Sequence, residues 1–143
     1  MSRLTPRGRT DFGRSFQRLG AMGLREGLVV VVSDFFDPAG LAAVEDALKR
    51  LRHRLLLVPL TRASDAAPSL EGDLELVDCE SGATAEVSVT PELLTRYREA
   101  FERFRFGLAD CARRRGWGLL AIDVEREIVP QLSSIFGDGS YRA

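Results

Sequence analysis

The run Leu28–Val32, LVVVV, constrains this chain more than any other feature. Its valines lose side-chain freedom against the preceding turn of a helix and pack well on a pleated surface. The run lacks polar alternation, so it predicts a strand apolar on both faces, buried in a parallel sheet. Ser33-Asp34 closes it. Asp37-Pro38 then predicts an N-cap with proline at the first helical position. Leu41, Val44, Leu48 and Leu51 recur as one stripe, so an amphipathic helix is expected over 38–52. Leu55–Leu60, LLLVPL, reads as a second buried strand. Pro59 removes a ladder donor and belongs near that strand's end or on an unpaired side.

The flanking segments follow the same logic. Residues 1–9, MSRLTPRGR, are polar, basic and rich in breakers, and predict a flexible arm. Thr10 and Asp11 offer N-cap chemistry to a short helix whose Phe12, Phe16 and Leu19 share a face, ended by Gly20 and Gly23. Residues 61–72 read as a polar connection. Leu74, Leu76 and then Ala85, Val87 and Val89 alternate with polar positions, which predicts a half-exposed β-hairpin turning at Glu80-Ser81-Gly82-Ala83. Thr90-Pro91-Glu92 starts a helix running to Arg115, with Gly116 as its stop. Residues 117–124, WGLLAIDV, predict a third buried strand, and 126–136 a last helix. A tail over 137–143 is expected to fray. Strands alternating with covering helices specify an α/β layered fold with a mainly parallel sheet and an added hairpin. Three core strands make that sheet thin.

Composition excludes several classes of function. Twenty basic residues balance 21 acidic ones. That argues against a nucleic-acid binder and a polybasic membrane-surface protein. All basic residues but Lys49 are arginine. No apolar run approaches the roughly 20 residues that span a bilayer, and the first 25 residues carry no apolar core of a signal peptide. A cytoplasmic location with reduced thiols is the expectation. Two cysteines and one histidine fall short of an ordinary zinc site. No cofactor is expected. No Walker A loop, dinucleotide-binding glycine pattern or nucleophile elbow occurs.

Candidate chemistry gathers at Ser33-Asp34-Phe35-Phe36-Asp37, because ligands of open α/β sheets bind at the carboxyl ends of the strands. A hydroxyl and carboxylates there suit a hard cation such as Mg²⁺. The plainer reading makes Asp37 a helix N-cap and Asp34 a turn-former. Asp123, near the end of the last strand, is a candidate by the same edge argument. His53 between a helix end and a strand, Cys111 on an apolar helix face, and Arg113-Arg114-Arg115 at a helix end read as structural.

The order of LVVVVSDFFD, the following helix, a strand near His53, the Asp-x-Glu-Ser-Gly hairpin and the tyrosine-bearing helix resembles a bacterial family. It is similar to the carboxyl-terminal half of the domain-of-unknown-function 58 proteins, from about Gly8 to Phe136. That resemblance implies a three-layer, Rossmann-like, von Willebrand factor A-like domain over residues 10–136, here partial. It also implies work beside a MoxR-type AAA ATPase, and a metal-ion-dependent adhesion site. On the family's pattern Thr10 matches the site's threonine and Asp34 its later aspartate, with Ser33 and Asp37 as neighbours. The Asp-x-Ser-x-Ser loop of such sites does not occur in the chain. Thr10 and Asp34 alone are expected to hold Mg²⁺ weakly, because that ion needs near-octahedral oxygen ligands.

The expectation is therefore a non-enzymatic protein-interaction domain whose partner is an AAA ATPase or its substrate. The family's central strand is expected to be missing before residue 10, which leaves the 28–32 edge open to a second copy. Two alternatives stand beside this. One is a small Mg²⁺- or Mn²⁺-dependent hydrolase using Asp34, Asp37 and Asp123. The other is a truncated gene product without independent function.

Overall fold

The structure is a computed structural model and describes residues 11–78 and 82–137. The arm, Thr10, residues 79–81 of the hairpin turn and the tail from 138 lie outside the described residues. Helix α1 spans Phe12–Ala21 and strand β1 Leu28–Ser33. Helix α2 covers Leu41–Leu48, β2 Arg54–Thr61 and the one-turn α3 Ala63–Ala66. The hairpin is β3, Gly72–Val77, and β4, Thr84–Val89. Helix α4 runs Pro91–Arg115, followed by β5, Gly118–Leu119, β6, Ile122–Asp123, and α5, Ile128–Gly137. This is a mixed α/β fold with a parallel sheet and a separate antiparallel pair.

Strand β2 is the centre of the parallel sheet. It pairs along six residues with β1, Leu28 opposite Arg54 through Ser33 opposite Pro59. On its other side it pairs with β5 and β6. The expected single strand over 117–124 is thus two short ones. They keep the same register, Leu57 opposite Leu119 and Leu60 opposite Ile122, and the break falls opposite Val58-Pro59. Leu57 and Thr61 accept backbone bonds from Leu120 and Val124, so the alternation of the ladder turns Pro59 to this side as well. Proline has no N–H to donate there, and the ladder opens at that point.

Val29, Val31, Leu55 and Leu57 share one face of the sheet and form the core with α1, α2 and α4. Leu57, Val44 and Phe35 are fully buried. Each large aliphatic buried in this way contributes about 1.5–3 kcal/mol. The opposite face is different. Leu28, Val30 and Val32 are 52%, 49% and 59% exposed. The expected burial of β1 on both faces is therefore corrected to burial on one. A run of valines reports apolar character on both faces but not whether a neighbour covers each of them.

The helices follow their caps. Asp11 accepts from the Arg14 N–H at 2.8 Å to start α1. Thr90 Oγ1 accepts from the Leu93 N–H at 3.2 Å to start α4, and Gly116, at φ 66°, ends it. The expected start of α2 at Asp37-Pro38 is corrected. Asp37 Oδ1 accepts from the Ala39 N–H at 2.8 Å and the Asp37 carbonyl accepts from the Gly40 N–H at 2.8 Å, which closes a turn instead. Gly40, at φ 83° and ψ 174°, holds a conformation open essentially to glycine alone, so the helix begins only at Leu41. It also ends at Leu48 rather than 52, with Leu51 buried in the connection that follows.

An ion-pair clasp joins α2 to α4. Arg115 donates from Nε and Nη2 to Glu45 Oε1 at 2.9 and 2.7 Å, and Arg114 and Arg113 pair with Asp110. The Arg115 hydrogen bond holds the Glu45 carboxyl below its ordinary value of 4.5. Beside it, burial pushes the Cys111 thiol up to about 11, with the Glu45 charge adding to the rise. A depressed folded-state value means that the clasp stabilises above pH 4.5 and is lost as pH falls through that lower value. Glu45→Gln is accordingly expected to be less stable than the parent at neutral pH. The gap in urea midpoints should close on acidification, and a gap that persists to pH values below the titration would contradict the clasp.

Candidate functional site

The carboxyl ends of β1, β2 and β6 bring Ser33-Asp34, Thr61 and Asp123 to one edge of the sheet. The turn after β1 is built around its own polar groups. Ser33 Oγ accepts from the Phe35 N–H at 3.1 Å, and Asp34 Oδ1 accepts from the Phe36 N–H at 3.1 Å and from the Ser33 hydroxyl at 3.4 Å. Phe35 sits at φ 61°, a strained conformation for a bulky residue. Its burial sustains the strain, because the ring is 0% exposed and stacks on Phe12 at 6.0 Å between centroids. The reversal sends the next side chain outward. Phe36 stacks on Phe104 at 4.6 Å and remains 53% exposed.

Asp34 and Phe36 line a cavity of about 180 Å³ between the sheet edge and α4, together with Thr61, Asp65, Phe101 and Phe106. Local sequence reading missed Thr61 and Asp65. Thr61 ends the central strand and was legible by the same carboxyl-end argument. Asp65 enters through α3, whose single turn carries no periodic signal. The loops around this edge are tied together by Glu125, which accepts from the Ala63 N–H and the Ser64 hydroxyl, both at 3.2 Å.

The candidate residues do not converge. Asp37 closes its own turn, and Asp123 Oδ1 accepts from the Glu125 N–H at 3.0 Å. Among the described residues no group of three His, Cys, Asp or Glu side chains could hold a metal ion, and Asp34, Asp37 and Asp123 form no such group. Thr10 lies outside the described residues. The described donors at this edge thus do not by themselves make a Mg²⁺ centre, since Asp34, Asp37 and Asp123 serve local turns. His53 is likewise structural, its Nδ1 accepting from the Gly27 N–H at 3.3 Å.

The family described as "protein of unknown function DUF58" matches residues 2–106. The chain belongs to that family. Among its relatives are uncharacterized protein Rv1480 of Mycobacterium tuberculosis and uncharacterized protein Mb1516 of Mycobacterium bovis. Each is 29% identical over 119 residues, covering 83% of this chain and 37% of the relative. Uncharacterized protein MAV169 of Mycobacterium avium is 26% identical over 124 residues, covering 87% of this chain and 73% of the relative. The chain therefore spans little more than a third of the length of the first two. No solved structure matches it significantly. Among the described residues no helix is long and apolar enough to cross a membrane.

Calorimetric titration of the full chain with Mg²⁺ or Mn²⁺ to millimolar concentration is expected to give no saturable heat. Saturable binding that disappears in Asp34→Asn would overturn this.

Proposed function

We propose that the chain is a cytoplasmic, non-enzymatic protein-interaction module. It is the carboxyl-terminal part of a von Willebrand A-like, Rossmann-like domain with an incomplete adhesion site. Its partner is a MoxR-type AAA ATPase or a substrate of that ATPase, as the family resemblance implies. The observation that supports the reading best is the exposed Phe36 held beside Asp34 at the mouth of the edge cavity. Exposed aromatics next to one charged group have the composition of a binding hot spot. Phe106, 70% exposed, extends the same rim.

The test is pull-down and surface-plasmon titration against a MoxR-type AAA ATPase. Phe36→Ala and Asp34→Asn should each weaken binding about tenfold, a typical hot-spot loss, with unchanged circular dichroism. Binding unaffected by both substitutions, or turnover of a phosphoester with added Mn²⁺ that depends on Asp34, would sink the proposal.

The open edge of β1 adds a second contact. Among the described residues it pairs with β2 alone, and Leu28, Val30 and Val32 lie exposed on its outer face. Two such edges, related by a two-fold axis, can extend one sheet into the other through their backbone groups and align their exposed Leu28, Val30 and Val32 on one continuous face. The chain is expected to dimerise at high concentration, and Val30→Lys to return it to monomer. Light scattering that finds a monodisperse monomer for the parent would remove this contact.

A further inference from the structure

We infer that the cavity at the sheet edge receives one arginine side chain of a partner protein. This rests on the reading above that the edge is an interaction surface, and it names what the partner presents there. Charge is the first observation. Asp34 after β1, Asp65 in α3, and Glu102 and Arg105 on α4 all line the cavity. Arg105 Nη1 donates to Glu102 Oε1 at 3.1 Å, so these two answer each other. The aspartates remain as the net charge of the lining. Each gives one oxygen to its own turn. Asp34 Oδ1 accepts from the Phe36 N–H and the Ser33 hydroxyl, and Asp65 Oδ2 from the Arg62 N–H. Among the described residues Asp34 Oδ2 and Asp65 Oδ1 take no hydrogen bond or ion pair.

The aromatic lining is the second observation. Phe36, Phe101, Phe104 and Phe106 border the same space. Phe36 stacks on Phe104 and Phe106 extends the rim, yet both stay largely exposed. The face of an aromatic ring attracts a cation, and more strongly where water is excluded. An aliphatic occupant would cover the rings but leave both carboxylates without a partner. An acidic one would meet like charge. A basic side chain answers both, because its stem lies on apolar surface while its charged end reaches the carboxylates. Arginine suits the site better than lysine. Its guanidinium stacks on aromatic faces, is weakly hydrated and carries donors for carboxylates on two elements.

Size and rigidity fit this occupant. The cavity of about 180 Å³ is smaller than the roughly 300 Å³ at which small-molecule sites begin, and close to the roughly 150 Å³ that holds one benzene ring. That is room for a single side chain. Asp65 is held in place before anything binds, because its carbonyl accepts from the Tyr97 hydroxyl at 2.8 Å and Glu125 accepts from the Ala63 N–H at 3.2 Å. A carboxylate fixed in advance lowers the ordering cost of binding.

The probe is Nα-acetyl-arginine methylamide, titrated against the isotope-labelled full chain and read from backbone amide NMR shifts. The citrulline amide, nearly the same shape without the charge, is run beside it. The arginine amide is expected to give saturable millimolar binding with shifts at Asp34, Thr61 and Asp65, and the citrulline amide none. Asp34→Asn and Asp65→Asn keep an oxygen for their turns and remove the charge. Each should weaken binding about tenfold, as loss of a charged hydrogen bond does. Phe36→Leu, which keeps apolar volume without the ring, should weaken it about threefold. Glu86→Gln, outside the cavity, should leave it unchanged. Asp34→Asn alone decides if circular dichroism shows Asp65→Asn unfolded. Equal shifts from both amides, or indifference to the aspartate substitutions, would overturn the inference. ATPase binding that needs Phe36, with no shifts from the arginine amide, would overturn it and leave the interaction reading standing. Saturation by the arginine amide without ATPase binding would support it and remove the ATPase as partner.

Discussion

The parallel pairing of β1 with β2 is the interaction on which the rest of the structure depends. Six residues in register turn Val29, Val31, Leu55 and Leu57 onto one face, where α1, α2 and α4 cover them. A slip of one residue in β1 would turn Leu28, Val30 and Val32 inward in their place. The apolar character would survive, but the Ser33-Asp34 turn would end at a different height on the sheet. The position of Asp34 at the edge cavity, and of Phe35 against Phe12, is thus set by the ladder rather than by the turn alone.

Pro59 acts on that ladder from the opposite side. In the middle of a sheet proline normally costs a hydrogen bond. Here the missing donor coincides with the gap between β5 and β6, so the neighbouring strand gives up its pairing at the same point. The interruption leaves Ala121 outside both short strands, where it lines the edge cavity. One covalent constraint in the central strand therefore helps to shape the candidate site.

What the sequence discloses is mostly local. Asp11, Thr90 and Gly116 announce helix ends through chemistry confined to a few neighbours, and those ends agree with the structure. The hairpin register follows from alternation and turn length. The start of α2 was equally local, but the proline signal at residue 38 masked the stronger one, Gly40. The remaining differences are non-local. Whether β1 has a neighbour on each side, whether the strand over 117–124 meets a proline, and whether Asp65 reaches the cavity of Asp34 all depend on chain segments tens of residues away. Periodicity carries no information about such neighbours.

The hairpin and the sheet edge share one residue. Asp65 lines both the edge cavity and a groove beside the β3–β4 hairpin, and its backbone carbonyl takes the Tyr97 hydroxyl. Its side chain also accepts from the Arg62 N–H at 3.2 Å to cap α3. Tyr97 on α4 thereby holds, through that bond, the loop that walls the cavity. The single turn of α3 is fixed from two further directions, by its own Asp65 cap and by Glu125. The cavity at the sheet edge is therefore walled by a segment that α4 and the loop after β6 hold in place, and not by the sheet alone.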